Sequence, residues 1–131
     1  MPYSKPPGKI SQGFTYEQKS GELAIVNGDW FMPFLVGYAG TGIGRNNPEM
    51  QYTRNVGPLP VGDYGMRVRP HPRFQAPAIR LDPFETNDMR GRSGFFIHGG
   101  THSQGCIVLS RGARRAVEAL IVLGFDTLRV I

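Results

Sequence analysis

Apolar and polar positions divide the chain into short strand-like runs, with one stretch of helical period near the end. Residues 14–17 and 22–26 are the first two runs, separated by Lys19-Ser20-Gly21. Asn27-Gly28 then signals a two-residue hairpin leading into a third run at 30–36. Pro33 has no N–H to give to a ladder, which places this third run at a sheet edge or a bulge. A proline-stiffened turn and a strand fill 57–68, further strands are expected at 78–81, 94–98 and 106–109, and 127–131 closes the domain. Between 111 and 123, Ala113, Ala116, Val117, Leu120 and Ile121 recur at helical spacing, bracketed by Ser110 as N-cap and Gly124 as C-cap. The pattern predicts a mainly β fold with one C-terminal amphipathic helix.

A chain of 131 residues supports one compact domain and therefore one site. The Pro-, Gly- and Lys-rich residues 1–12 read as a loose N-terminal arm, leaving 13–131 as the folded domain. The 18 glycines and 11 prolines agree with many turns. The longest of these irregular stretches, 37–60, is the length of loop that borders a site. Its glycines do not form a phosphate loop, because no Gly-Lys-Ser/Thr ending, no GxGxxG spacing and no helix pattern follow. No apolar run approaches the roughly 20 residues of a membrane span, and the first residues lack the apolar core of a signal peptide. The protein is expected to be made in the cytoplasm without a signal peptide.

The net charge of +5 favours an acidic partner: nucleic acid, anionic lipid or an anionic wall polymer. The basic residues are scattered, with Arg90/Arg92 and Arg111/Arg114/Arg115 the tight groups, so no nucleic-acid partner is expected. The helix arginines read as a solvated face. A non-enzymatic, basic wall- or polyanion-binding module is the reading that competes with an enzyme.

Chemistry concentrates at 95–109, which holds His98, His102 and the single cysteine, Cys106, among glycines. One cysteine rules out an internal disulfide. His98, His102 and Cys106 recur every four residues and would stack on one face of a helix as metal ligands, but Gly99, Gly100 and Gly105 would each cost such a helix about 1 kcal/mol. No metal and no cofactor are expected. A thiol nucleophile with a histidine base fits the strand-forming flanks better, and two adjacent strands would bring His98 beside Cys106. Gly105 permits a tight turn that aims the N–H groups of Gly105 and Cys106 at an oxyanion. Arg92, just ahead of the His98 strand, is the candidate for gripping a substrate carboxylate. His102 on the loop, Tyr38 and Tyr52 are further candidates for the substrate side, whereas Trp30 is expected in the core and His71, between prolines, as a plain loop histidine.

Ile97-His98-Gly99-Gly100 followed by Ser103-Gln104-Gly105-Cys106-Ile107 resembles the His-Gly and Ser-His-Gly-Cys signature of L,D-transpeptidase (YkuD-like) catalytic domains. Residues 57–64, Gly-Pro-Leu-Pro-Val-Gly-Asp-Tyr, look like the Pro-x-Gly-x-Tyr/Phe turn of the same family. Gly91-Arg92-Ser93-Gly94 before the His98 strand is similar to the subgroup of type VI secretion L,D-transpeptidase effectors. Gln104 stands where the wider family usually has histidine, and Val108 where many members have arginine.

The resemblance implies a β-sandwich or barrel and a cysteine enzyme acting on peptidoglycan tetrapeptide stems. Such an enzyme cleaves between meso-diaminopimelate and D-alanine through an acyl-enzyme, as L,D-carboxypeptidase or, with an amine acceptor, L,D-transpeptidase. Cys106 then matches the nucleophile, His98 the base, the Gly99 carbonyl the group that orients it, and Ser103 and Gly105 the catalytic turn. For the effector subgroup the resemblance further implies an antibacterial toxin, secreted by way of a carrier and active in the periplasm of a target bacterium. A cognate immunity protein would protect the producer.

Overall fold

The period-two runs assemble into one mixed sheet in the computed structural model, which describes residues 10–131. Its strands are β1 (Gln12–Tyr16), β2 (Glu22–Asn27), β3 (Trp30–Val36), β4 (Tyr38–Ala39), β5 (Gly62–Val68), β6 (Ile79–Pro83), β7 (Phe95–His98), β8 (Ile107–Val108) and β9 (Thr127–Val130). They lie in the order β3-β2-β1-β9-β5-β6-β7-β8-β4, antiparallel except for β1 with β9 and β7 with β8. The two ends of this order, β3 and β4, are separated in sequence by Gly37 alone, so the sheet curls into a nearly closed barrel.

Glycine makes that closure sterically available. A Cβ on Gly37 would collide with the Val108 carbonyl oxygen and with Leu109, and one on Gly21 would collide with the Gly37 carbonyl, whose own N–H donates to Gly21 O at 2.8 Å. Gly37→Ala is therefore expected to cost about 2 kcal/mol and lower the melting temperature by several degrees. Gly112→Ala, in open space on the helix, should raise it slightly. Thermal unfolding of the two variants checks both signs.

The third run is an edge strand with a bulge, as Pro33 predicts: Leu23 pairs with Leu35 and Ala24 with Pro33, leaving Phe34 as the extra residue. The hairpin turn is shifted by one residue from the expected Asn27-Gly28. Asn27 pairs with Trp30, and Gly28 (φ 63) with Asp29 forms the loop, glycine taking the position that requires positive φ. Trp30 is 63% exposed instead of in the core, because the tip of an edge hairpin has no neighbouring layer to bury it. Residues 1–9 of the expected arm lie outside the described residues. The remainder of that arm belongs to the domain, with Ile10 buried and Gln12 opening β1.

The helix α1 (Arg111–Val122) begins where Ser110 Oγ accepts the Ala113 N–H at 3.2 Å. It ends in a paired C-terminal turn, Gly124 N–H to Ile121 O at 2.9 Å and Phe125 N–H to Leu120 O at 3.0 Å, with Gly124 at φ 101. Val117 faces the core shared with Phe14, Tyr64, Ile97 and Ile107. No helix among the described residues is long and apolar enough to cross a membrane.

Candidate active site

Strand alternation turns Ile97 into the core and Phe96 and His98 to the other face. In the parallel ladder Ile97 pairs with Ile107 and His98 with Val108. Cys106, one residue ahead of β8, therefore lies level with Phe96, whose N–H points at its Sγ at 3.4 Å. His98 and Cys106 are thus diagonal neighbours on one face. Both line a cavity of about 590 Å³. All three histidines of the chain, His71, His98 and His102, line it, together with Arg54, Arg73 and Arg92, and no Asp or Glu does.

The turn carrying Cys106 is held from within and from below. Ser103, buried, uses its hydroxyl fully: Oγ donates to Cys106 O and accepts the N–H groups of Gly40 at 2.9 Å and Gly105 at 3.1 Å. Ser103 is thereby a positioning residue, not the catalytic residue expected from the motif. The same bond corrects the role of Gly105, whose N–H is committed to Ser103 and is not an open oxyanion donor. What Gly105 supplies is its φ of 130 and the absence of a Cβ, which would strike Arg92 and Phe95. Its carbonyl accepts from Leu59 N–H at 3.0 Å.

Arg92 likewise departs from its expected role in carboxylate binding. Its guanidinium is buried and donates to the carbonyls of Gln51, Pro58 (2.8 Å), Gly57 (3.0 Å) and Gln104 (2.9 Å). The fork that suits a carboxylate is spent on four backbone acceptors, tying the 51–58 loop to the turn that carries Cys106. The turn motif at 57–64 forms the platform beneath: Tyr64 Oη donates to Pro60 O at 2.7 Å, and Gln18 Nε2 to Leu59 O at 2.8 Å.

His98 is buried and its Nδ1 lies 2.6 Å from Gly99 O. A carbonyl only accepts, so Nδ1 carries the proton and Nε2 of the neutral ring is a free base. Burial, with smaller contributions from Arg114 and His71, pushes its pKa below the ordinary histidine value, against the Gly99 bond that raises it. Phe74 stacks on the imidazole, centroids 4.1 Å apart and planes 8° apart, and His71 stacks on the far side of Phe74 at 4.3 Å. These rings come from the 69–78 loop between β5 and β6, folded over the outer face of β7.

At Cys106 the opposing influences on the thiol do not cancel. Burial raises the thiol pKa, outweighing the lowering by the Phe96 N–H, the Arg92 charge and its own N–H. Cys106 rests as a thiol beside a neutral imidazole. Alkylation by iodoacetamide should accordingly be slow at pH 7 and rise with a midpoint above about 8.5; a midpoint below that, followed by mass spectrometry across pH, would contradict a resting thiol.

Of the other expected substrate-side residues, His102 lines the cavity and is exposed. Tyr38 and Tyr52 do not line it. Tyr38 lies under Arg45 (3.7 Å) and borders a smaller cavity beyond Gly99 and Gly100, and Tyr52 lies under Arg90 (3.9 Å). Four residues had no such role predicted. Arg114, expected on a solvated helix face, is buried and donates to Leu109 O at 2.7 Å and Pro77 O at 2.8 Å, packed where a Cβ on Gly99 would stand. Arg54, Arg73 and Phe74 reach the cavity from irregular segments, and their one sequence signal was the length of the loops that carry them.

A barrel-like β domain carrying a cysteine and an oriented histidine in a basic cavity is the class that fold and site define. The family model of the Tlde1 domain, a type VI secretion effector-related domain, matches residues 34–122, and the chain belongs to that family. The matched region contains His98, Cys106, Arg92 and all of α1. No curated protein and no solved structure matches the chain.

Proposed function

We propose that this protein is a cysteine L,D-carboxypeptidase/L,D-transpeptidase acting on peptidoglycan tetrapeptide stems. The observation that carries the reading is the pairing of Cys106 with an imidazole whose Nδ1–H is tied to Gly99 O, both on one wall of an acid-free, cationic cavity. Nε2 of His98 takes the thiol proton as Sγ attacks the carbonyl carbon of meso-diaminopimelate. With the Gly105 N–H committed elsewhere, the N–H of Cys106 is the turn's donor to the oxyanion. Collapse breaks the C–N bond, His98 returns the proton to the departing D-alanine amine, and a thioester remains on Cys106. Water resolves it to the tripeptide and free enzyme; an incoming amine gives exchange or a crosslink.

Family membership and the motif resemblance support the wider role of an antibacterial effector acting in the periplasm of a target bacterium, with a secretion carrier and a cognate immunity protein. The test is incubation with a disaccharide tetrapeptide, following tripeptide formation and the mass increment of a tripeptidyl group on Cys106. Neither product nor adduct, together with salt-sensitive binding to purified sacculi, would instead identify a basic wall-binding module.

The lowered pKa of His98 fixes the sign of the pH dependence. A base with the ordinary value of 6.5 would be half protonated and half inactive at that pH. His98 is more than half neutral at that pH, so the acid limb of kcat/KM should have its midpoint below 6.5. A pH–rate profile whose acid limb has its midpoint above that value would be the contrary result.

A further inference from the structure

With the Arg92 nitrogens Nη1 and Nη2 committed to backbone carbonyls, the cavity's charge must act through other side chains. Arg54 and Arg73 both line it, both are exposed, and neither guanidinium has a hydrogen bond or ion pair with the described residues. They approach from different loops. Arg54 belongs to the segment that Arg92 binds to the Cys106 turn, and its charge is felt at Arg92. Arg73 adjoins Phe74, the ring stacked on His98. One unpaired cation therefore flanks the nucleophile side of the cavity and one the base side, with no carboxylate on the wall to neutralise either. Like charges converging on a cavity favour an anionic ligand, and guanidinium groups suit a carboxylate in particular.

Resting on the proposed activity, we infer that Arg54 and Arg73 bind the free C-terminal carboxylate of the substrate peptide and make the enzyme exo-acting. The group to be expelled is a single D-amino acid, so its carboxylate lies within one residue of the carbonyl that Cys106 attacks, inside the same cavity. A peptide continued or amidated at that end brings no charge to the two arginines and leaves them unpaired. Release is thereby confined to the last residue of a free stem.

The experiment uses the disaccharide tetrapeptide and its C-terminal amide. Binding of each is measured calorimetrically to the full chain carrying Cys106→Ala, alone and with Arg54→Gln, Arg73→Gln or both, and turnover of each is measured with Cys106 present. Both arginines are exposed, and unchanged thermal melting verifies that the variants fold. The expected result is that the acid binds about tenfold or more tighter than the amide, and that the double replacement removes the difference while leaving the amide unaffected. Equal binding of acid and amide, a preference that survives in the double variant, or binding of neither ligand overturns the inference. Cys106-dependent loss of D-alanine without an acid preference sinks this inference and leaves the proposed activity standing. An arginine-dependent acid preference without turnover supports the carboxylate site and sinks the proposed activity, and with it the exo-acting role.

Discussion

Replacing Cys106 with alanine is expected to reduce D-alanine release by at least about 10³-fold while shifting the melting temperature by only a few degrees. The first half follows from chemistry, because no other side chain in the cavity is a thiol or a comparably nucleophilic group. The second follows from packing. Cys106 is only partly buried against the core, and its Sγ receives one long contact from the Phe96 N–H, so a methyl group leaves little cavity and little unsatisfied polarity. His98→Gln should cause a comparable loss, and the double variant should be scarcely worse than either single one, since a base without its nucleophile has no proton to take. Steady-state rates on the tetrapeptide with melting curves on the same samples check all three variants. Retention of a tenth of the activity in Cys106→Ala would remove the thiol from the reaction.

The second large effect is expected at Arg92. Arg92→Lys keeps the charge but replaces a planar fork by a single ammonium, which cannot span the carbonyls of Gln51, Gly57, Pro58 and Gln104. Leaving two or more buried acceptors without donors costs about 3 kcal/mol, a fall in melting temperature on the order of 10 °C for a domain of this size. The Cys106 turn loosens with it, so kcat should fall more than KM rises. Arg92→Met should in addition raise the thiol pKa further, because the Arg92 charge is one of the influences that lower it. A lysine variant with unchanged melting and a defect in KM alone would return Arg92 to the substrate-binding role suggested by its sequence position.

Local patterning and the tertiary structure divide the account of this protein between them. The strand runs, the Ser110 and Gly124 caps and the edge character of Pro33 are read from neighbouring residues, since alternation, capping and the missing proline N–H act over a few positions. Trp30 shows the limit: its hydrophobicity predicts burial, but only the strand order reveals that β3 is an edge with no layer over its tip. The central stretch was legible as chemistry because His98, Gly99, Gly105 and Cys106 fall within one short segment. Their mutual placement depended on β8 pairing parallel to β7, a register with no local signature.

Arg92 and Arg114 look like surface charges in sequence and are buried anchors in the fold. Their partners are carbonyls as distant along the chain as Gln51, 41 residues from Arg92, and Pro77, 37 residues from Arg114. Phe74 over His98, and the two cations at the cavity rim, arise because the 69–78 and 40–60 loops fold across one sheet face. Residue types and spacing single out His98 and Cys106 as the candidate reacting groups; the fold sets which arginines are spent on backbone carbonyls and which line the cavity without a partner among the described residues. The physical reason is that strand period, helix caps and turn glycines are local, whereas desolvation and hydrogen-bond satisfaction are set by whatever the chain brings near.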